Sequence, residues 1–272
     1  MAHKEIRRSG PSHAYLSASL LPGPEAQTHN RKLLILDLNG CLLYRTPPMT
    51  DAHGNRRRIV YPRPYMPTLC RYLFHPRTRG WLDTMVWSSA QPRNVAEMVE
   101  ACFGEDKAGL VDVWTRDKMG LTVRGYNQKT STVKNMERVW AELPTPERHS
   151  LFTTVLFDDS FSKAALQPHN HVPVEEYTQA MHERDVHVRV QSADPSYDAH
   201  DHTLLAAIGI LEALKSETNI ANWIRCRGLL RSKENIDAGQ RWYQVPEIRD
   251  YWVKSGTHVL EDLGVPIVAG IS

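Results

Sequence analysis

The sequence predicts an α/β protein with a central parallel sheet flanked by helices, and three short apolar runs predict it. They are Leu33-Leu34-Ile35-Leu36, the stretch LDTMVW at 82–87 and the stretch TTVLF at 153–157. Runs of four to six residues closed by polar clusters read as buried strands of a parallel sheet. Each ends in groups that can do chemistry: Asp37 with Asn39-Gly40, Ser88-Ser89, and Asp158-Asp159-Ser160. Open α/β sheets bind ligands at the carboxyl ends of their strands.

The totals bound the rest. A chain of 272 residues is long enough to bury a substantial core. A formal charge of +2 gives no argument for nucleic acid from net charge. Cys41, Cys70, Cys102 and Cys226 are far apart in sequence, so neither a zinc motif nor a disulfide framework is visible, and a reducing compartment is expected. No apolar run approaches the roughly 18 residues of a membrane span. The sequence therefore predicts a nuclear or cytoplasmic protein, neither secreted nor membrane-spanning.

In order along the chain, residues 1–30 lack an apolar signal core and are expected to be a flexible tail, with a transit peptide as the alternative. After the first strand, Gly54-Asn55 marks a turn between short segments, which predicts a small hairpin. The hairpin carries Arg56, Arg57 and Arg58, read either as a solvated edge or as an anion-recognition patch beside Asp37, with His53 close by. A helix follows with Leu69, Cys70, Leu73 and Phe74 on one face. Past the second strand, Pro92 opens a helix whose apolar positions Val95, Met98, Val99, Cys102 and Phe103 fall at i, i+3, i+4, i+7 and i+8. Ser88 and Ser89 either cap that helix or help backbone N–H groups hold an anion.

A short strand is expected at 111–114 and another at 172–174. Lys129 and Lys134 bracket the start of a helix carrying Val133, Met136, Val139 and Trp140. Asp158 and Asp159, adjacent at a strand end, need a cation or hydrogen bonds to be stable there, which makes a Mg²⁺ site with Asp37 attractive. Capping by Asp159 and Ser160 is the plainer reading. Six histidines lie from His169 to His202, but their spacing matches no strong zinc pattern. Asp201 is expected to cap the helix of Leu204, Leu205, Ile208, Leu211 and Leu214. From 217 onward aromatics and arginines dominate. A helix at 246–263 closes with Gly264 and Pro266. This extension, 217–272, is expected to pack on the domain because so much aromatic surface is unfavourable in water.

The ordered set of strand-Asp37, strand-Ser88, helix-Lys134 and strand-Asp158-Asp159 resembles the haloacid-dehalogenase (HAD) superfamily. Within it, the sequence is similar to NIF-domain proteins and the small phosphatases acting on the C-terminal domain (CTD) of RNA polymerase II. Arg63-Pro64, Val86-Trp87-Ser88-Ser89-Ala90 and Thr154-Val155-Leu156-Phe157-Asp158-Asp159-Ser160 carry the resemblance, which covers 31–216. It implies a Rossmann-like HAD fold and a hydrolase, a Mg²⁺-dependent phosphatase. Asp37 would be the nucleophile that forms an aspartyl-phosphate. Mg²⁺ would be held by Asp37, the Asn39 carbonyl and Asp158, with Asp159 assisting. Ser88 would bind the transferring phosphoryl group. Lys134 would offset charge, with Lys129 the weaker candidate. Ser89 and Arg56 to Arg58 would contact substrate.

The sequence departs from the family at Asn39, where these phosphatases carry the Asp that protonates the leaving oxygen and then activates water. An amide cannot exchange a proton near neutral pH, and general acid–base help contributes roughly 10²–10⁴-fold. Cys41 likewise replaces the usual Thr or Val. Two readings follow: a phosphoserine/phosphothreonine phosphatase of weak or no turnover, or a pseudophosphatase that binds a phosphorylated or acidic protein partner. RNA binding through Arg225, Arg227, Arg231 and Lys233 near Trp223 is a third. Nothing in the sequence specifies an oligomeric state.

Overall fold

The structure, a computed structural model, describes residues 10–23, 31–50, 54–128, 130–143, 145, 149–191, 200–231, 236–237 and 239–271. The order of elements begins with α1 (His13–Ala18), β1 (Lys32–Leu36), β2 (Leu43–Arg45), β3 (Met49–Thr50), β4 (Arg56–Arg57) and β5 (Val60–Pro62). It continues with α2 (Met66–Leu73), α3 (Pro76–Arg79), β6 (Leu82–Trp87), α4 (Pro92–Phe103), β7 (Asp112–Trp114), α5 (Val123–Asn127) and α6 (Met136–Glu142). The remainder is β8 (Thr154–Asp158), β9 (His171–Pro173), α7 (Gln179–Gln191), α8 (Thr203–Lys215), α9 (Ile220–Arg225) and α10 (Pro246–Leu263).

The main sheet has five strands in the order β7-β6-β1-β8-β9, every pair parallel. This is the α/β architecture the apolar runs predict. β1 is central and wholly buried. Its side chains alternate, as a pleated strand requires. Leu34 and Leu36 join the larger core layer with α2, α4, α8 and α10. Leu33 and Ile35 join the other layer with Met85, Trp87, Trp114, Met136 and Val139. The hairpin after β1 is a double ladder, β2 against β5 and β3 against β4, both antiparallel. His53 lies outside the described residues.

The expected tail is not free along its described part. Ser12 accepts a hydrogen bond from the Tyr15 N–H and starts α1. Tyr15 is buried; its hydroxyl donates to Asn170 Oδ1 at 3.0 Å and accepts from the His169 N–H at 2.9 Å. One aromatic anchor therefore docks a helix too short to show a period. α7 also goes unforeseen, because its few apolar residues are scattered among charges. The helix expected near Val133 starts later, at Met136, where Asn135 Oδ1 accepts from the Glu137 N–H.

The C-terminal segment contributes one long helix. α10 lies directly on α8, with Ile248, Trp252 and Leu260 in the larger core layer. The helices cross at Gly209 and Gly256, where a Cβ would come within 2.3 Å of Trp252 O and 2.0 Å of Leu205 O respectively. The basic residues ahead of α10 are engaged internally. Arg225 donates to Leu16 O and Ser19 Oγ, Arg227 donates to Ile236 O, and Arg231 lies over the Tyr251 ring. Lys233 lies outside the described residues. Among those described, no helix is long and apolar enough to cross a membrane.

Candidate active site

The carboxyl ends of β1, β6 and β8 meet at one edge of the sheet. Asp37 follows β1, and its N–H extends the ladder to Phe157 O at 3.0 Å. The chain then turns tightly, with Gly40 N–H donating to Leu43 O at 2.8 Å. Gly40 has φ +88, and a Cβ there would lie 2.9 Å from the Asp159 carboxyl. Both the backbone conformation and the close approach require glycine.

Lys134 crosses to this edge from the segment ahead of α6, positioned by its own N–H donating to Lys163 O at 2.8 Å. It is fully buried. Its Nζ donates to Asp37 Oδ1 at 2.7 Å and to Asp158 Oδ2 at 2.5 Å. The other Asp158 oxygen accepts from the Ser160 N–H at 2.9 Å. The Asp158 carbonyl faces His171 Nε2 at 2.8 Å. Asp37, Asp158 and Asp159 each turn a carboxylate oxygen to a common space, all within 4.8 Å of one another.

Charge is unbalanced here. Burial, with Asp158 adding to it, pushes the Asp37 carboxyl up to about 6 even though Lys134 pulls it down. Burial and the charges of Asp37 and Asp158 push Asp159 up to about 7. Burial would strip Lys134 of its proton, but the two carboxylates outweigh burial and drive its pKa upward. Three clustered carboxylates, two of them resisting ionisation, suit a hard divalent cation with oxygen ligands, so the donor set fits Mg²⁺. Among the described residues, this is the cluster with metal-ligand geometry. The histidines are used separately: His169 stacks on Tyr15, and His202 lies against Tyr65.

Ser88 stands at the same edge, since Leu36 pairs with Val86 and Ser88 is two residues on. It is buried, and its Oγ accepts from the Ala90 N–H at 3.3 Å, a bond within the turn that leaves its O–H as a donor; it does not cap α4, whose N-cap is Gln91. Ser89 is half-buried, and its carbonyl accepts from Arg116. Asn39 is exposed and bridges to Leu43. Arg56 and Arg57 are exposed on β4, and Arg58 Nη1 donates to Thr46 O at 3.2 Å. The cations that act on Asp37 are instead Lys134 and Lys163. Lys129 lies outside the described residues.

Sequence reasoning missed two of these contributors. Lys163, four residues past Asp159, lies close enough to act electrostatically on Asp37. In the sequence, Arg63 stands out only as part of the Arg63-Pro64 pair. It is wholly buried, donating from Nε to Asp201 Oδ2 at 2.6 Å, from Nη1 to Cys41 O and Glu175 O at 2.9 Å each, and from Nη2 to Thr203 Oγ1 at 2.9 Å. It thereby ties the loop after Asp37 to the start of α8. Asp201 Oδ1 accepts from the Thr203 N–H, but it stands one residue ahead of the N-cap, His202, so the expected cap is replaced by a bond to the first residue of α8.

Residues 32–221 match the family described as NLI interacting factor-like phosphatase. An uncharacterised FCP1 homology domain-containing protein of Schizosaccharomyces pombe is 34% identical over 223 residues, covering 79% of this chain and 83% of the relative. Among solved structures, Fcp1, described as an essential RNA polymerase II CTD phosphatase, aligns at 12% identity with a TM-score of 0.42, covering 82% of this chain and 80% of that one. Fission yeast Fcp1 bound to beryllium fluoride aligns at 14% identity with a TM-score of 0.39, covering 88% and 68%. Likenesses this loose assign no roles to individual residues.

Proposed function

The chain belongs to the family of NLI interacting factor-like phosphatases, and from that premise we propose that it carries a phosphoryl-transfer site for phosphoserine or phosphothreonine side chains, built on Asp37 and slowed at Asn39. The observation that carries this reading is the buried Lys134 ammonium bridging Asp37 and Asp158.

Phosphoryl transfer depends on positioning and on neutralising charge. With Oδ1 held by Lys134, the other Asp37 oxygen is the nucleophile. It attacks phosphorus, the bond from phosphorus to the seryl or threonyl oxygen breaks, and an aspartyl-phosphate forms. The Ser88 hydroxyl donates to a phosphoryl oxygen, and Lys134 keeps Asp37 ionised and offsets the added negative charge. Asp37, Asp158 and the Asn39 carbonyl, assisted by Asp159, would hold Mg²⁺, which supplies charge neutralisation at the phosphoryl oxygens. The leaving oxygen needs a proton, and the water that releases phosphate from Asp37 must lose one. Asn39 serves neither step, so turnover is slow.

The same substitution favours a second reading, a pseudophosphatase in which the pocket captures a phosphorylated protein partner without releasing phosphate. Arg56, Arg57 and Arg58 on the hairpin would suit an anionic partner in either case. The test is hydrolysis of an aryl phosphate and of a phosphoserine peptide, with Mg²⁺ or with chelator. Slow Mg²⁺-dependent release that vanishes in Asp37→Asn supports the enzyme. Phosphopeptide binding without release supports the pseudophosphatase, and neither activity contradicts both.

A further inference from the structure

The segment 241–244 lies outside the family match, yet it returns to the edge of the acidic cluster. Trp242 anchors it. The indole is buried and donates from Nε1 to Pro173 O at 2.7 Å, and Pro173 pairs with Asp158 in the ladder between β8 and β9. The turn is locked by the Arg241 N–H donating to Gln244 Oε1 at 2.9 Å and the Gln244 N–H donating to Arg241 O at 3.0 Å. Arg241 is thereby held beside the end of β8.

Its guanidinium lies over Phe161, 3.8 Å from the ring centroid. Phe161 follows Asp159 by two residues, is 44% exposed, and is braced edge-on by His171 at 5.2 Å. The Arg241 charge reaches His171, which faces the Asp158 carbonyl, and Tyr243, which also feels Asp159 and Glu175. Despite these acidic neighbours, the guanidinium makes no hydrogen bond or ion pair among the described residues. An arginine held on an aromatic face keeps its N–H edge free for a carboxylate or phosphate, which it can bind bidentately. Three carboxylates would otherwise repel an acidic substrate from this rim.

We propose that Arg241, held on Phe161, is a specificity-determining residue that binds a second anionic group of the substrate, so that the site favours phosphoserine or phosphothreonine flanked by acidic residues. The proposal rests on the phosphoryl-transfer reading for the phosphorylated side chain itself. The competing role for Arg241 is to offset the field of the carboxylates without touching substrate.

The test compares binding of two peptides to the full chain, one with Glu on both sides of phosphoserine and one with Gln on both sides. We expect the native chain to prefer the Glu peptide by about 10-fold, as one charge-assisted fork allows. That ratio is unaffected by the fraction of protein that is folded. It falls to about one in Arg241→Ala and to an intermediate value in Arg241→Lys, which keeps the charge and loses the fork. No preference in the native chain, a preference that survives Arg241→Ala, or no binding of either peptide overturns the proposal. A preference found in a chain that hydrolyses no aryl phosphate leaves this proposal standing and overturns the catalytic reading. Hydrolysis without the preference does the reverse.

Discussion

The two ends of the central sheet each bury carboxylates beside cations, and they differ in balance. Near the start of β6, the single carboxylate of Asp83 meets Arg31, at 2.5 Å and 3.2 Å, and His149 Nε2 at 3.2 Å. Burial raises its pKa, but the hydrogen bonds and charges of those partners outweigh burial and hold it down at about 2. At the carboxyl end, Lys134 is, among the described residues, the one ammonium bonded within a cluster of three carboxylates, and Asp37 and Asp159 are pushed up to about 6 and 7. The first end is satisfied by its own protein. The second is short of positive charge, as a site must be if a cation or a cationic assembly with phosphate is to complete it. Charge balance, more than burial, separates the two ends.

Breaking the comparison at its strongest point means removing Lys134. Lys134→Met leaves Asp37 and Asp158 buried without their cation, and stability should fall by about 3–5 kcal/mol in urea unfolding at neutral pH. A loss below about 1 kcal/mol would mean that the carboxylates are already protonated or hydrated there.

A second divergence lies in the response to Mg²⁺. Saturating Mg²⁺ at about a hundredfold over its Kd should stabilise the native chain by about 2.7 kcal/mol, seen as a rise in thermal midpoint. Asp158→Asn should abolish that rise, while Asp83→Asn should preserve it. A rise that survives Asp158→Asn would move the cation elsewhere.

The ends should also differ in the sign of their pH dependence. Asp83 titrates at about 2 when folded and about 4 when unfolded, so the unfolded chain binds more protons between those values. The stability it contributes is complete above about pH 4 and is lost as pH falls toward 2. The difference in unfolding free energy between the native chain and Asp83→Asn, about 1–3 kcal/mol at neutral pH, should shrink over that window. A difference that stays constant would separate Asp83 from Arg31 and His149. The smallest effect is expected at the hairpin. Replacing Arg56, Arg57 and Arg58 together by Ala should weaken phosphopeptide binding by about 5-fold, the scale of exposed charge pairs, and an unchanged affinity removes them from recognition.

How much of this was legible follows from how local each signal is. The strands 32–36, 82–87 and 154–158 and the helix at 92–103 carry their period or apolar run within themselves, so the sheet and its chemical edge could be read directly. Asp37, Lys134 and Asp158 could be aligned with a family motif, but their meeting through one buried ammonium depends on packing across 97 and 24 residues of chain. α1 and α7 lacked a period to read. The Arg63 clamp and the Arg241 stack each join residues separated by long loops, and a basic residue in sequence looks the same whether it faces water, a buried aspartate or a phenyl ring. The segment 225–231 shows the converse: its arginines suggested a nucleic-acid surface, yet Arg225 and Arg227 are bonded to backbone carbonyls.

The central claim is that the carboxyl-end cluster is an intact phosphoryl-transfer site disarmed at one amide. The most direct measurement is Mg²⁺-dependent aryl phosphate hydrolysis by Asn39→Asp beside the native chain, with the double variant Asp37→Asn, Asn39→Asp as control. Restoring the acid–base group should raise the rate by about 10²–10⁴-fold, and the control should lose the gain. An Asn39→Asp chain that folds, binds Mg²⁺ and hydrolyses no faster than the native chain would contradict the claim.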